Sequence, residues 1–369
     1  MKERIVLWDN IKFILITLVV IGHLADEFTI NSNAYKSIFL FIYSFHMPAF
    51  IFISGLFHNE KNILKKCIFY SSIGFLYKII SLVIDRLSGN INVTFSLLSD
   101  GGVSWFMFVL AIYTVITYLL RNENKQYILV ASIILSCFVG YDKSIGDFLY
   151  LSRSIVFFPF YLLGTMMKSE HIVKIKSKNK ILYIFSILIV LIWGFLCFYK
   201  IDTLYILRYL FTGRNAFYEP ILKYGALARL CSYIISLLLL FAFIILIPSK
   251  KIKFISKMGE NSIYVYFWHW KFYMLLEEIF VVSRLFYIGV YGKILFLLIG
   301  VLISVILSQG LIFSVPIKQI KNIVLIKELK DLYTQVFYSS LNLFFSKSIM
   351  PSFFNFPSSL ERLLLSSAR

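Results

Sequence analysis

The chain has 369 residues, 59% of them hydrophobic and only 15% charged, with a mean hydropathy of +0.82. A soluble domain carries about a quarter charged residues, so this composition excludes a soluble globular protein and indicates a polytopic membrane protein. The net charge of +18 would suit nucleic acid, but in a membrane protein excess lysine and arginine collects in cytoplasmic loops and sets topology.

Ten runs read as transmembrane helices, at approximately 5–25, 35–57, 67–85, 104–120, 127–141, 147–167, 181–199, 227–247, 261–282 and 292–315. The first lacks a small-residue cleavage site and carries Asp9 and Lys12, so it is expected to stay as the first helix. With the N-terminus inside, the loops "HNEKNILKK", "RNENKQ", "KSEHIVKIKSKNK" and "SKKIKFISKMGEN", with Lys2, Arg4 and the tail as far as Lys330, hold about 20 basic residues against about 8 outside. That asymmetry predicts both termini in the cytoplasm and the lipid bilayer, not nucleic acid, as the partner of the positive charge. Cys67, Cys137, Cys197 and Cys231 show no metal-ligand spacing and read as small buried hydrophobes. The fold class is therefore an all-α integral membrane bundle of about ten helices over residues 1–320. Residues 321–369 follow as a cytoplasmic or interfacial tail.

The first run contains "IKFILITLVVIGHLADEF", which puts Lys12 and His23 among apolar residues. Eleven residues amount to roughly 1,100° of helix, so the two share a face about 16 Å apart along the axis. Asp9, three residues before Lys12, is placed to pair with it, and Asp26 and Glu27 follow His23 at spacings that could orient its ring. An ionisable stripe inside a span is by default a functional site; snorkelling of Lys12 to the interface is the bland alternative. The second run contributes His46 near the midplane and Pro48, which is expected to kink the span. The ninth contributes His269, about 12 Å from its start, with Asn261 and Ser262 placed to cap it. Arg153 and Lys78 are further intramembrane charges, whereas His58 and His171 fall in loops and are expected to be solvated. Three membrane histidines without HxxxH or HExxH spacing suggest general-base chemistry more than a metal site, and no metal is expected. No Walker loop, GxGxxG or GxSxG occurs. A proton-coupled carrier for a polysaccharide precursor stays open as the alternative to an enzyme.

Four stretches taken together, "WDNIKFILITLVVIGH", "SFHMPAFIFISGLF", "VSWFMFVL" and "MGENSIYVYFWHW", resemble the membrane-bound acyltransferase-3 family, and within it the fucose 4-O-acetylase-like group. The resemblance runs in order from about residue 4 to 315. It implies a ten-helix enzyme of the bacterial cytoplasmic membrane that moves an acyl group, commonly acetyl from acetyl-CoA, onto a carbohydrate hydroxyl on the far side. The family's basic residue and histidine match Lys12 and His23, with His23 the implied base. The family's "FHMP…SG" element matches His46, Pro48, Ser54 and Gly55. Where relatives carry an arginine-rich motif implicated in acyl-CoA handling, this chain has Lys61, Lys65 and Lys66, which keep the charge without the bidentate fork. The expected site comprises Lys12, His23 and His46 as catalytic groups and Lys12, Lys61, Lys65, Lys66 and Ser54 toward acetyl-CoA. Trp105, Arg153, Asn261, Ser262 and His269 are expected toward the carbohydrate acceptor. The membrane part is expected to perform the transfer alone.

Overall fold

A computed structural model describes residues 5–89, 95–99, 102–178, 180–214 and 216–325. Among the described residues the chain is helical with no β-strand, the arrangement hydrocarbon demands, because a helix satisfies its own backbone groups where no water can. The first half runs α1 (Val6–Glu27), α2 (Asn33–Tyr43), α3 (His46–Leu56), α4 (Ile63–Leu87), α5 (Trp105–Leu119), α6 (Lys125–Phe138), α7 (Leu151–Met166) and α8 (Ser169–Lys178). The second half runs α9 (Lys180–Tyr199), the short α10 (Ile201–Leu204), α11 (Arg208–Phe211) and α12 (Glu219–Leu222), then α13 (Gly225–Leu246), α14 (Lys253–Glu260), α15 (Ser262–Phe280), α16 (Gly289–Ser308) and α17 (Val315–Leu325). Among the described residues, seven helical segments are long and apolar enough to cross a membrane. Of the other three expected spans, α5 and α6 are shorter apolar helices, and α15 is interrupted by Lys271, Glu277 and Glu278.

Burial separates centre from periphery. The apolar window of α1 is 61% buried and that of α2–α3 67%, against 17% for α9 and 22% for α4. α1 packs against α2, α3, α14, α15 and α16, so it is the axis of the bundle. α4, α9 and α16 instead turn Ile79, Leu191, Phe195, Leu298 and Leu302 outward, as lipid-facing surfaces do.

Four expectations need correction. The second span is broken into α2 and α3 at Ser44 and Phe45, but Pro48 lies inside the first turn of α3, where a missing N–H costs nothing. The freed Ser44 carbonyl accepts from Ser236 Oγ on α13 (2.5 Å), and Ser44 Oγ accepts from Trp193 Nε1 on α9 (3.0 Å). Asn261 makes no side-chain cap; its Nδ2 donates to the Ser308 carbonyl (2.6 Å) and ties α15 to the end of α16. His58 is half-buried rather than solvated, with Nδ1 hydrogen-bonded to the Tyr161 hydroxyl at 2.8 Å. Lys78 is a buried charge within a span, as expected, and it donates to the carbonyls of Ser96 (2.7 Å) and Leu97 (3.0 Å), so it pins a loop. The tail beyond residue 325 lies outside the described residues, and α17 crosses the boundary at 320. All four thiols are free, but only Cys137 and Cys197 are buried as expected; Cys67 is half-buried and Cys231, on the outer face of α13, is exposed.

α3 and α7 meet backbone to backbone. A Cβ on Gly55 would stand 2.1 Å from the Tyr161 carbonyl oxygen, and one on Gly164 2.2 Å from that of Phe52. At Gly259 of α14 a Cβ would lie 1.8 Å from the Asp9 carbonyl oxygen of α1. Only glycine permits these approaches, and they set the walls around α1.

Candidate active site

A cavity of about 620 Å³ opens along one face of α1, a size typical of small-molecule sites. Lys12, His23, Asp26 and Glu27 of α1 all line it. Fifteen residues of helix separate Lys12 from Glu27, so the cavity follows α1 for about 22 Å, most of the thickness of a bilayer core of about 30 Å. His23 is the imidazole between its two ends.

At the Lys12 end, the ammonium lies 2.8 Å from Asp9 Oδ1, with side-chain exposures of 29% and 5%. The carboxylate is buried and fixed, while the lysine reaches the cavity. Asn10, none of whose surface is exposed, secures this end. It donates to the carbonyls of Pro248 (2.8 Å) and Lys250 (3.0 Å) and accepts from Ser256 Oγ (2.7 Å).

The middle holds three imidazoles. The break between α2 and α3 swings His46 to the cavity wall, with Nδ1 2.9 Å from the Ile42 carbonyl. A carbonyl can only accept, so Nδ1 carries the proton and Nε2 presents a lone pair. His269 is fixed the same way: its Nδ1 lies 2.9 Å from the carbonyls of both Val265 and Tyr266. His269 is 1% exposed and stands behind His23, their ring centres 5.3 Å apart. Tyr43 joins the group, its hydroxyl 3.4 Å from His23 Nδ1 and its ring stacked on Phe39 at 3.8 Å. The ring of Trp270 closes another side of His23 at 5.9 Å.

The Asp26 end is polar and aromatic. The Arg153 guanidinium sits 4.6 Å over the Trp105 ring, within cation–π range, and that ring stacks on Phe157. Arg208 lies 3.6 Å from Asp26, and Arg214 donates to Asp147 Oδ2 at 2.6 Å.

Of the residues expected from the sequence, Lys12, His23, His46, Ser54, Trp105, Arg153 and Ser262 line this one cavity. Ser54 spends its proton on the Phe50 carbonyl (2.8 Å). Asn261 and His269 sit behind the wall. Lys61, Lys65 and Lys66 lie outside the lining, at the end of the bundle that carries α4's first turn, and Lys66 Nζ is held by the Asn59 carbonyl and side chain at 2.6 Å each. Sequence reasoning missed Tyr43, Tyr266, Arg208 and Arg214, all of which line the cavity. Tyr43 precedes His46 by three residues, one turn of a continuous helix, which is the only signal it offers. The two arginines lie in a segment whose helices are four residues long, too short for a periodicity to reveal their facing. Among the described residues no group of three or more His, Cys, Asp or Glu is placed to hold a metal ion.

Among known families, a model described as an acyltransferase domain, acyltransferase-3, matches residues 5–313. No curated protein and no solved structure matches the chain. The matched region contains every residue that lines the cavity.

Proposed function

Because the chain belongs to the acyltransferase-3 family and is a multi-pass membrane protein and an acyltransferase, we propose that it transfers acetyl from cytoplasmic acetyl-CoA to a hydroxyl of a cell-surface carbohydrate across the bacterial cytoplasmic membrane. The observation that carries this reading is the single cavity along α1, which joins a cationic end at Lys12 to a polar, aromatic end at Trp105 and Arg208, with His23 between them.

The chemistry then follows from the side chains. His23 takes the proton of the acceptor hydroxyl as its oxygen attacks the thioester carbon. The tetrahedral intermediate collapses, the carbon–sulfur bond breaks, and His23 returns the proton to the departing thiolate. His46 Nε2, held as an acceptor by the bond from Nδ1 to Ile42, receives a hydrogen bond from the acceptor sugar. Lys12 supplies positive charge to the donor's anionic portion, with Asp9 fixing its ammonium. Trp270 offers a flat face to a pyranose ring. Lys61, Lys65 and Lys66 contribute a basic approach to the donor rather than contacts inside the cavity.

The test is transfer by the purified protein in detergent, with acetyl-labelled acetyl-CoA, an isolated surface polysaccharide and no ion gradient. Label recovered as an alkali-labile ester on the glycan is the expected result. Label that passes to amines or to lipid alone, with none on the glycan, overturns the acceptor assignment.

A further inference from the structure

We propose that Phe217 and Arg229 are positioning residues for the acceptor: they clamp residues 205–214 over the Asp26 end of the cavity, and so govern acceptor binding while leaving donor binding alone. The inference rests on the reading that the acceptor enters at that end, and it names the side chains that hold the wall there.

This wall has little stability of its own. α11 is four residues long, where an isolated helix needs about 12–15. Yet Arg208, Tyr209, Phe211, Thr212 and Arg214 all line the cavity, so contacts outside the segment must fix it. Three are present. Ser152 Oγ on α7, itself buried, donates to the Gly213 carbonyl at 2.8 Å. Arg229 Nη1 on α13 donates to the Leu210 carbonyl. Further along, the Phe217 N–H donates to the Gly140 carbonyl at 2.7 Å, and the Phe217 ring fills a slot between two glycines. A Cβ on Gly225 would stand 2.2 Å from that ring, and one on Gly140 2.7 Å from it. Tyr141 meets the same ring edge-on at 4.8 Å.

Arg229 ties these contacts together. It is 1% exposed, and its Nε and Nη2 are enclosed with no hydrogen-bond partner among the described residues. The titratable groups that act on its charge are Tyr233 and Cys137, neither of them a carboxylate. Burying a cation in this way is costly. What offsets the cost comes from the clamped stretch itself: the Leu210 carbonyl, and the Phe217 ring 5.7 Å from the guanidinium, within cation–π range. Ser152, Phe217 and Arg229 do not line the cavity. They act on a substrate only through the residues they hold, and those residues lie at the opposite end from Lys12.

The test uses the full chain in detergent. Phe217→Ala empties the slot, Gly225→Ala drives a methyl into the ring, and the double variant gives that methyl the space the ring left. Backbone hydrogen exchange in residues 205–214 should rise in both single variants while that of α1 stays at the wild-type level. In steady-state transfer from acetyl-CoA to an isolated surface polysaccharide, kcat/KM for the acceptor should fall about tenfold in each, inside the roughly 10²-fold that misplacement can cost. The Kd for acetyl-CoA should not change. The double variant should be no slower than Phe217→Ala, because both changes act on one contact. Arg229→Met should show the same acceptor-side loss, and Arg229→Lys, which keeps a donor for Leu210, should recover part of it. Exchange that stays at the wild-type level in Phe217→Ala overturns the clamp. An equal loss of donor affinity, or fully additive losses in the double variant, overturns the acceptor-side role. If Gly225→Ala fails to fold, Phe217→Leu, which leaves the slot part-filled, takes its place. Exchange needs no acceptor, so the two questions stay apart: a wild-type protein that esterifies no glycan overturns the acceptor reading, whereas unchanged exchange overturns the clamp.

Discussion

Asn10 lies in the second turn of α1 and offers the sharpest test of how the Lys12 end is built. Its amide donates to two carbonyls and accepts from one hydroxyl. Each such bond contributes about 0.5–1.5 kcal/mol net. The two carbonyls belong to Pro248 and Lys250, both exposed, so in Asn10→Ala they regain water and count little. Ser256 is 4% exposed and its hydroxyl loses the buried Asn10 acceptor, which costs the larger share. The sum for Asn10→Ala is about 2 kcal/mol, of which about 1 kcal/mol belongs to the bond with Ser256. Thermal unfolding in detergent of Asn10→Ala, Ser256→Ala and the double variant measures it. The double variant should be less destabilised than the sum of the singles by about that 1 kcal/mol. Strict additivity, or an Asn10→Ala protein that melts with the wild type, refutes the clamp. Because α14 rests directly on the Asp9 carbonyl at Gly259, the same variant should raise the donor KM.

Gly55→Ala forces a methyl to within 2.1 Å of the Tyr161 carbonyl oxygen, and overpacking of that kind costs about 1–3 kcal/mol; a lower melting temperature and slower turnover are expected, since α3 carries His46, and a wild-type melting curve would contradict the α3–α7 contact. Lys12→Ala should weaken acetyl-CoA, read as a higher donor KM or a weaker calorimetric Kd, with Lys12→Arg retaining most of it; unchanged donor affinity removes Lys12 from the site. Burial, with Lys66 and Lys125 close by, holds the His58 imidazole down at about 4. The unfolded chain binds that proton near 6.5, so the contribution of His58 to stability is complete above about pH 6.5 and is lost as pH falls toward 4. His58→Gln should flatten that part of the melting-temperature profile, and an unaltered profile would show that the Tyr161 contact carries no pH dependence.

Much of the architecture was legible because hydrocarbon imposes one solution on an apolar run. The ten expected segments all fall on helices, and the eleven-residue spacing that put Lys12 and His23 on one stripe puts both on one cavity. Illegible features depend on contacts between distant segments. Pro48 is visible in sequence, yet the break falls three residues earlier, where Ser236 and Trp193 donate to the buried carbonyl and hydroxyl of Ser44. Asn261 resembles a cap until the end of α16 offers it a carbonyl. The lysines after α3 share a charge with Lys12 but not its place, because their helix starts beyond the cavity. Asn10, silent as one polar residue in an apolar helix, gains its meaning from a loop about 240 positions away.

The most direct measurement is acyl transfer by purified His23→Ala. With the variant inserted and monodisperse like the wild type, kcat should fall by at least about two orders of magnitude, the lower bound of what a positioned base supplies, while acetyl-CoA still binds. Near-normal ester formation by that protein would contradict the account, since the cavity along α1 would then be turning over without the imidazole at its centre.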